Sequence, residues 1–333
     1  MSERDRIERI DGCVSAMLAG DDPALSPSER DLLPLLRVAA HLLNLPREAF
    51  ALQLRADLDA QAGGAGTGDA AAAAGAGESR ARAVRQALVP YLVVPDATRL
   101  LAFLRDAFGA TEVMRVPRPG GGVQHAEVAI GDARIELADG TDAYASRAGA
   151  LHLYVPDADA AYERAVAAGA TALYAPVDQP YGDREAGVRD PGGNAWFIAT
   201  RRGAVHRPEG LRTVTPYLVV RDAARLVEFA QRAFGASVVE SHEGPPGTVM
   251  HATLDIGGSA VELGEARGPF GPTSLMLHLY VPDADAAWQR AVEAGAKPIA
   301  PVQDQPYGER NGGVEDGFGN QWYVAQILAS PSS

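Results

Sequence analysis

One stretch of twenty residues occurs twice and fixes most of what this chain can become. Leu151–Ala170 reads LHLYVPDADAAYERAVAAGA, and Leu277–Ala296 reads LHLYVPDADAAWQRAVEAGA. In L-H-L-Y-V the apolar residues alternate with His and Tyr, the pattern of a half-buried strand. Pro156 ends that strand, and Asp157 or Asp159 is placed to cap an Ala-rich helix that stops at Gly169. The unit is strand, turn, helix, repeated at a spacing of 126 residues.

The same spacing recurs along the chain. Pro90–Val94 matches Pro216–Val220, Ala107–Ala110 matches Ala233–Ala236, and Asp178–Gly182 (DQPYG) matches Asp304–Gly308. The spacing predicts two sequential domains, 86–202 and 211–328, joined by a short linker containing Pro208 and Gly210. A weaker repeat at 61 residues lies inside each: Tyr91-x-x-Val-x-Asp and His152-x-x-Val-x-Asp both precede a helix ending in Gly-Ala. Ile130-Gly-Asp-Ala133 reads as a two-residue hairpin turn, and so does Pro191-Gly-Gly-Asn194. The module is therefore βαβββ, used four times, in an α+β chain. Residues 1–60 have helical spacing and a capping box at Ser26–Glu29, so an N-terminal helical segment is expected there. Residues 61–85, rich in Gly and Ala, are expected to form a flexible linker.

Composition narrows the function classes. A net charge of −13 argues against binding a phosphate backbone. Cys13 is the only cysteine, which removes intramolecular disulfides and thiolate zinc sites. No apolar run approaches the ~18 residues of a membrane span, and the charged N-terminus lacks a signal core. A cytoplasmic bacterial protein, bound to neither membrane nor nucleic acid, is expected. The chain has no phosphate loop, nucleophile elbow or Cys–His pair.

The module order, with P-Y-L-V-V, A-F-G-A, H-L-Y-V-x-D-x-D-A and D-Q-P-Y-G-[DE]-R, resembles the vicinal oxygen chelate (VOC) superfamily of glyoxalase I, bleomycin-resistance proteins and extradiol dioxygenases. Within it these words look like the PhnB-like branch. The resemblance covers residues 88–328. It implies a cupped mixed sheet built from two modules in each domain, with ligand or metal in the concavity and the two domains packed as an intramolecular pseudo-dimer.

Alternation assigns the faces. Ala126, Val128, Ile130, Ile135 and Leu137 share the apolar, helix-packed face; His125, Glu127, Arg134 and Glu136 share the other. By the same rule Tyr91, His152 and Tyr154 line the cup of the first domain, and Tyr217, His251, Glu262, His278 and Tyr280 that of the second. Phe197 and Tyr323 are added as aromatic lining, and Arg184 and Arg310 are expected to join them. Trp196 and Trp322 are expected in the core.

The superfamily takes metal ligands from the first and last strand of each module. Glu136 and Glu262 stand at last-strand positions, but the others are Val89, Ala150, Phe197, Thr215, Met276 and Tyr323, which are poor or incompetent ligands. No metal or other cofactor is favoured, and no catalytic residue is assigned. The leading expectation is a small-molecule-binding protein that sequesters an aromatic or amphipathic ligand without metal. One alternative is a glyoxalase-type lyase, isomerase or dioxygenase. It would hold Fe, Ni, Zn or Mn on displaced sets, His125–Glu136–His152 and His251–Glu262–His278. Another is a regulatory scaffold in which residues 1–60 dock a protein partner.

Overall fold

The computed structural model describes residues 86–328, apart from 143, 204, 246 and 268–270. The helices expected in 1–60 and the linker expected in 61–85 lie outside the described residues. Four βαβββ modules follow one another. The first comprises β1 (Leu88–Val94), α1 (Ala97–Phe108), β2 (Thr111–Pro117), β3 (Val123–Ile130) and β4 (Ala133–Asp139). The second has β5 (Ala150–Tyr154), α2 (Ala158–Ala167), β6 (Thr171–Asp178), β7 (Asp183–Arg189) and β8 (Ala195–Arg201). The third has β9 (Val214–Val220), α3 (Ala223–Phe234), β10 (Ser237–Glu243), β11 (Val249–Ile256) and β12 (Ser259–Glu265). The fourth has β13 (Met276–Tyr280), α4 (Ala284–Glu293), β14 (Lys297–Asp304), β15 (Glu309–Glu315) and β16 (Gln321–Ile327).

Local chemistry sets the element boundaries. Asp157 caps α2 by accepting the Ala160 amide at 3.0 Å, while Asp159 is left free to take Arg184. Gly109 ends α1 in the left-handed conformation, its N–H returned to the Arg105 carbonyl. Gly131 turns the β3–β4 hairpin, with Ile130 facing Ala133, and the Asp132 carboxylate accepts the Thr213 amide at 2.8 Å. A side chain at 131 would collide with Thr213, so this turn also seats the start of β9. The loop at 190–194 is not a two-residue turn. Arg189 pairs with Ala195 across five residues, and the Asp190 carboxylate accepts the amides of Gly192 and Asn194 and the Trp196 indole.

The strands form two eight-stranded mixed sheets, ordered β14-β15-β16-β13-β1-β4-β3-β2 and β10-β11-β12-β9-β5-β8-β7-β6. Each sheet holds two modules, as expected, but takes one from each repeat. Modules one and four meet at the antiparallel β1–β13 seam, where Val89 faces His278. Modules two and three meet at β5–β9, where His152 faces Thr215.

The repeats keep their integrity on the helical side. Arg164 Nε donates to the Ala107 carbonyl, tying α2 to α1, and Arg290 Nε to the Ala233 carbonyl, tying α4 to α3. Trp196 and Trp322 are fully buried there, 4.9 Å from Phe108 and 4.7 Å from Phe234 between ring centres. Ala126, Val128, Ile130, Ile135 and Leu137 are all buried in the same continuous core. At about 25 cal/mol per Å² of apolar surface, this core is the main stabilising term. No helix among the described residues is long and apolar enough to cross a membrane.

Candidate functional site

The helix-free face of each sheet carries the polar and aromatic side chains that alternation assigned to it. The module exchange changes which of them meet. Glu136 was expected beside His152, and Glu262 beside His278; the structure reverses the partners. His278 Nδ1 lies 3.0 Å from Glu136 Oε2, and His152 Nδ1 lies 2.9 Å from Glu262 Oε2. The reason is topological. Alternation fixes the face a residue points to, but β1 has β13 as its second neighbour and β9 has β5.

In the first cup, built from modules one and four, Tyr91 on β1 stands beside Glu136 on β4 in parallel register. The Tyr91 hydroxyl is bonded to His125 Nδ1 at 3.1 Å. His278 donates from Nδ1 to Glu136, and its Nε2 sits 3.3 Å from Glu309 Oε2, an ion-pair distance without hydrogen-bond alignment. Burial pulls the His278 pKa down, but Glu136 and Glu309 outweigh it and hold the imidazolium up to about 10. His125 behaves oppositely: burial exceeds the pull of Glu136, and its pKa is lowered, so it is neutral at pH 7. Burial would raise the Glu309 carboxyl, but His278 and the donors Asn311 and Tyr280 lower it. Tyr323 and Tyr144 meet at 6.4 Å at one end, and the Asn311 amide donates to the Tyr307 hydroxyl at 2.9 Å.

The second cup, from modules two and three, repeats the pattern with more of its groups sealed. Glu262 lies between two imidazoles, with His152 on one oxygen and His251 Nε2 3.5 Å from the other. Burial would raise its pKa, but His152 and His251 bring it down to about 2. His152 is raised despite burial, chiefly by Glu262. Tyr154 is buried and donates to Asp183 at 2.9 Å; Asp183 in turn pairs with Arg201 at 2.8 Å. Phe197 packs edge-on against Tyr217, 5.2 Å between centres, and Tyr217 stacks on His251 at 5.8 Å.

Arg184 and Arg310 do not enter the cups. Arg184 binds Asp159 at the start of α2 and Asp178 on β6; Arg310 binds Asp285 and Asp304 in the same way. On β7 the cup-facing positions are Asp183, Glu185 and Gly187, so Arg184 has the opposite parity. Sequence reasoning missed Glu185, Asp183, Glu309, Asn311 and Tyr174. It read DQPYG as a rim turn, which it is, since Gly182 N–H returns to the Gln179 carbonyl. It did not follow Tyr181, whose hydroxyl reaches back to Glu185 at 3.1 Å. The signal was the spacing of two between Asp183, Glu185 and Gly187, which recurs as Glu309, Asn311 and Gly313.

These donors do not fit a divalent metal. One oxygen of each glutamate already accepts from a histidine, and two donors of the first cup, His278 Nδ1 and His125 Nδ1, are turned to Glu136 and Tyr91. Val89, Met276 and Tyr323, or Thr215, Ala150 and Phe197, complete the family positions. Among the described residues, no three His, Cys, Asp or Glu side chains converge as a metal site.

Two shared βαβββ sheets with polar, aromatic open faces define a glyoxalase-type class of protein. The sequence model of the Glyoxalase/Bleomycin resistance protein/Dioxygenase superfamily matches residues 85–198 and again 211–324, and the chain belongs to this family. An uncharacterised protein of Mycobacterium bovis is 39% identical over 124 residues, 34% of this chain and 82% of that protein. A Mycobacterium tuberculosis relative, also uncharacterised, shows the same identity over 73% of its length. Among solved structures, glyoxalase I from Zea mays superposes with a TM-score of 0.55 at 16% identity, over 73% of this chain and 92% of that one. That likeness is one of fold.

Proposed function

We propose that the chain is a small-molecule-binding protein of this family that works without a metal. Its ligand would be an aromatic or amphipathic molecule laid against the cup tyrosines. The observation that carries this reading is the His278–Glu136 pair and its counterpart His152–Glu262. In each cup the one carboxylate at a family ligand position is engaged by a histidine, and tyrosines, Tyr91 in one cup and Tyr217 in the other, stand beside it. Tyrosines combine a large apolar face with a polar tip, which suits planar ligands that need orientation.

Elemental analysis of chain purified without chelators or a His tag, then incubated with Fe, Ni, Zn or Mn, tests the metal half of the reading. Less than about a tenth of an equivalent is expected; one or two equivalents per chain would overturn it. Thermal melting against a panel of planar aromatics tests the other half. A rise with at least one class is expected, since ligand bound at 100 times its Kd stabilises by about 2.7 kcal/mol. No rise with any of them counts against pocket binding.

A further inference from the structure

The loops that follow β4 and β12 are anchored alike. Gly140 and Arg147 donate their amides to the carbonyls of Val94 and Val93, and Ala266 and Thr273 donate theirs to Val220 and Val219. Positions 126 residues apart therefore correspond in space as well as in sequence. Three of them change together. The first cup has Tyr144 and Arg147 on its loop and Tyr323 on β16; the matching residues are Phe270, Thr273 and Phe197. Two phenol hydroxyls and a guanidinium are exchanged for two phenyl groups and one short hydroxyl.

The three donors lie together. The ring centres of Tyr144 and Tyr323 are 6.4 Å apart. Thr141 holds Tyr144 by accepting its amide on Oγ1 at 3.0 Å and donating its own amide to the Tyr144 carbonyl at 2.8 Å. Burial and Tyr144 push the Tyr323 hydroxyl up while Arg147 pulls against them, which puts the guanidinium within electrostatic reach of that hydroxyl. Arg147 is the unmatched ion here. His278 has Glu136 and Glu309, His152 has Glu262 and Glu185, and Arg201 has Asp183. Arg147 is half-buried, and its side chain makes one hydrogen bond, from Nη1 to the Gly319 carbonyl at 3.0 Å. Its Nε is buried without a partner, and its Nη2 is not buried and has no partner among the described residues. A half-buried charge answered only by a carbonyl leaves the attraction of an anion unused.

Resting on the binding function proposed above, we propose that Tyr144, Arg147 and Tyr323 form an anion site at the mouth of the first cup, and that the ligand is an aromatic carboxylate. Its carboxylate takes Arg147 Nη2 and the phenol hydroxyls, and its ring rests on Tyr144, which is 49% exposed. The site needs no enclosed cavity, because Tyr144 and Arg147 Nη2 already meet solvent. The second cup lacks all three groups and takes no anion.

Isothermal titration of the full chain with benzoate, and with benzamide as its uncharged match, tests this. One benzoate per chain is expected, bound about tenfold tighter than benzamide through charged hydrogen bonds to the guanidinium. Arg147→Thr, which copies the second repeat, should bring benzoate down to the affinity of benzamide. Tyr323→Phe, which copies Phe197, should weaken benzoate about fivefold and leave benzamide unchanged, and it decides the matter if Arg147→Thr fails to fold. Equal binding of both probes, a second benzoate per chain, or an undiminished preference in either variant would overturn this inference and leave pocket binding intact. Absence of benzoate binding beside a thermal shift with another planar aromatic would do the same. No binding of either probe, alongside no thermal shift with the aromatic panel, would remove both.

Discussion

Each sheet has two faces, and the repeats treat them differently. On the helix-packed face the two repeats are close copies: Trp196 and Trp322 are both buried, and each donates its indole N–H to an aspartate, Asp190 or Asp316. On the open face the copies drift, with Tyr174 against Ala300, Glu185 against Asn311 and Phe197 against Tyr323. The difference teaches where selection of side chains is dictated by packing and where it is released. A dense core admits few volumes, whereas the open face must only satisfy its polar groups.

The comparison can be broken most directly in the core. Trp196→Ala and Trp322→Ala should each cost about 3–5 kcal/mol in urea unfolding. Values differing by more than about 2 kcal/mol would mean the helical faces are not equivalent. On the open face, Glu262→Gln strips the charge from the partner of a buried imidazole and should cost about 2–3 kcal/mol. Glu136→Gln should cost less, since His278 is more exposed than His152; equal costs would erase the distinction between the cups.

The pH profile sharpens the same contrast. His278 is raised from 6.5 to about 10 on folding, so its stabilisation is complete below about 6.5 and is lost as pH rises towards 10. Glu262 is lowered from 4.5 to about 2, so its contribution is present above about 4.5 and is lost as pH falls towards 2. His278→Gln should therefore flatten the alkaline limb of a melting-temperature profile and, by removing the cation that lowers Glu309, weaken part of the acid limb as well. The smallest effect belongs to Arg184→Ala, outside the cups on exposed ion pairs. Its melting temperature should stay within the scatter of the parent chain.

How legible was this in the sequence? The core face was, because the large apolar residues Val128, Ile130, Ile135 and Leu137 fall at every second position of their strands, and the Glu127–Glu136 pairing follows from a two-residue turn. The open-face membership of Tyr91, His125, Glu136, His152 and Glu262 was legible for the same reason. Their grouping was not. A period of two carries no information about the neighbouring strand, and β1 closes on a strand from the other repeat. Arg184 failed on parity: its strand reads Asp-Arg-Glu-Ala-Gly-Val-Arg, with charged residues at successive positions, so alternation does not mark which of them meets the cup.

The β1–β13 seam also sets a timetable for the nascent chain. Val89 finds His278 only after roughly 190 further residues have been made. Until then β1 has only β4 as a strand neighbour and its other edge is unpaired, the kind of edge that recruits stray strands. The first cup is thus the last part of the molecule to exist. The β5–β9 seam, pairing His152 with Thr215, closes far earlier. A chain ended inside the fourth module would hold every strand of the second cup and lack strands of the first.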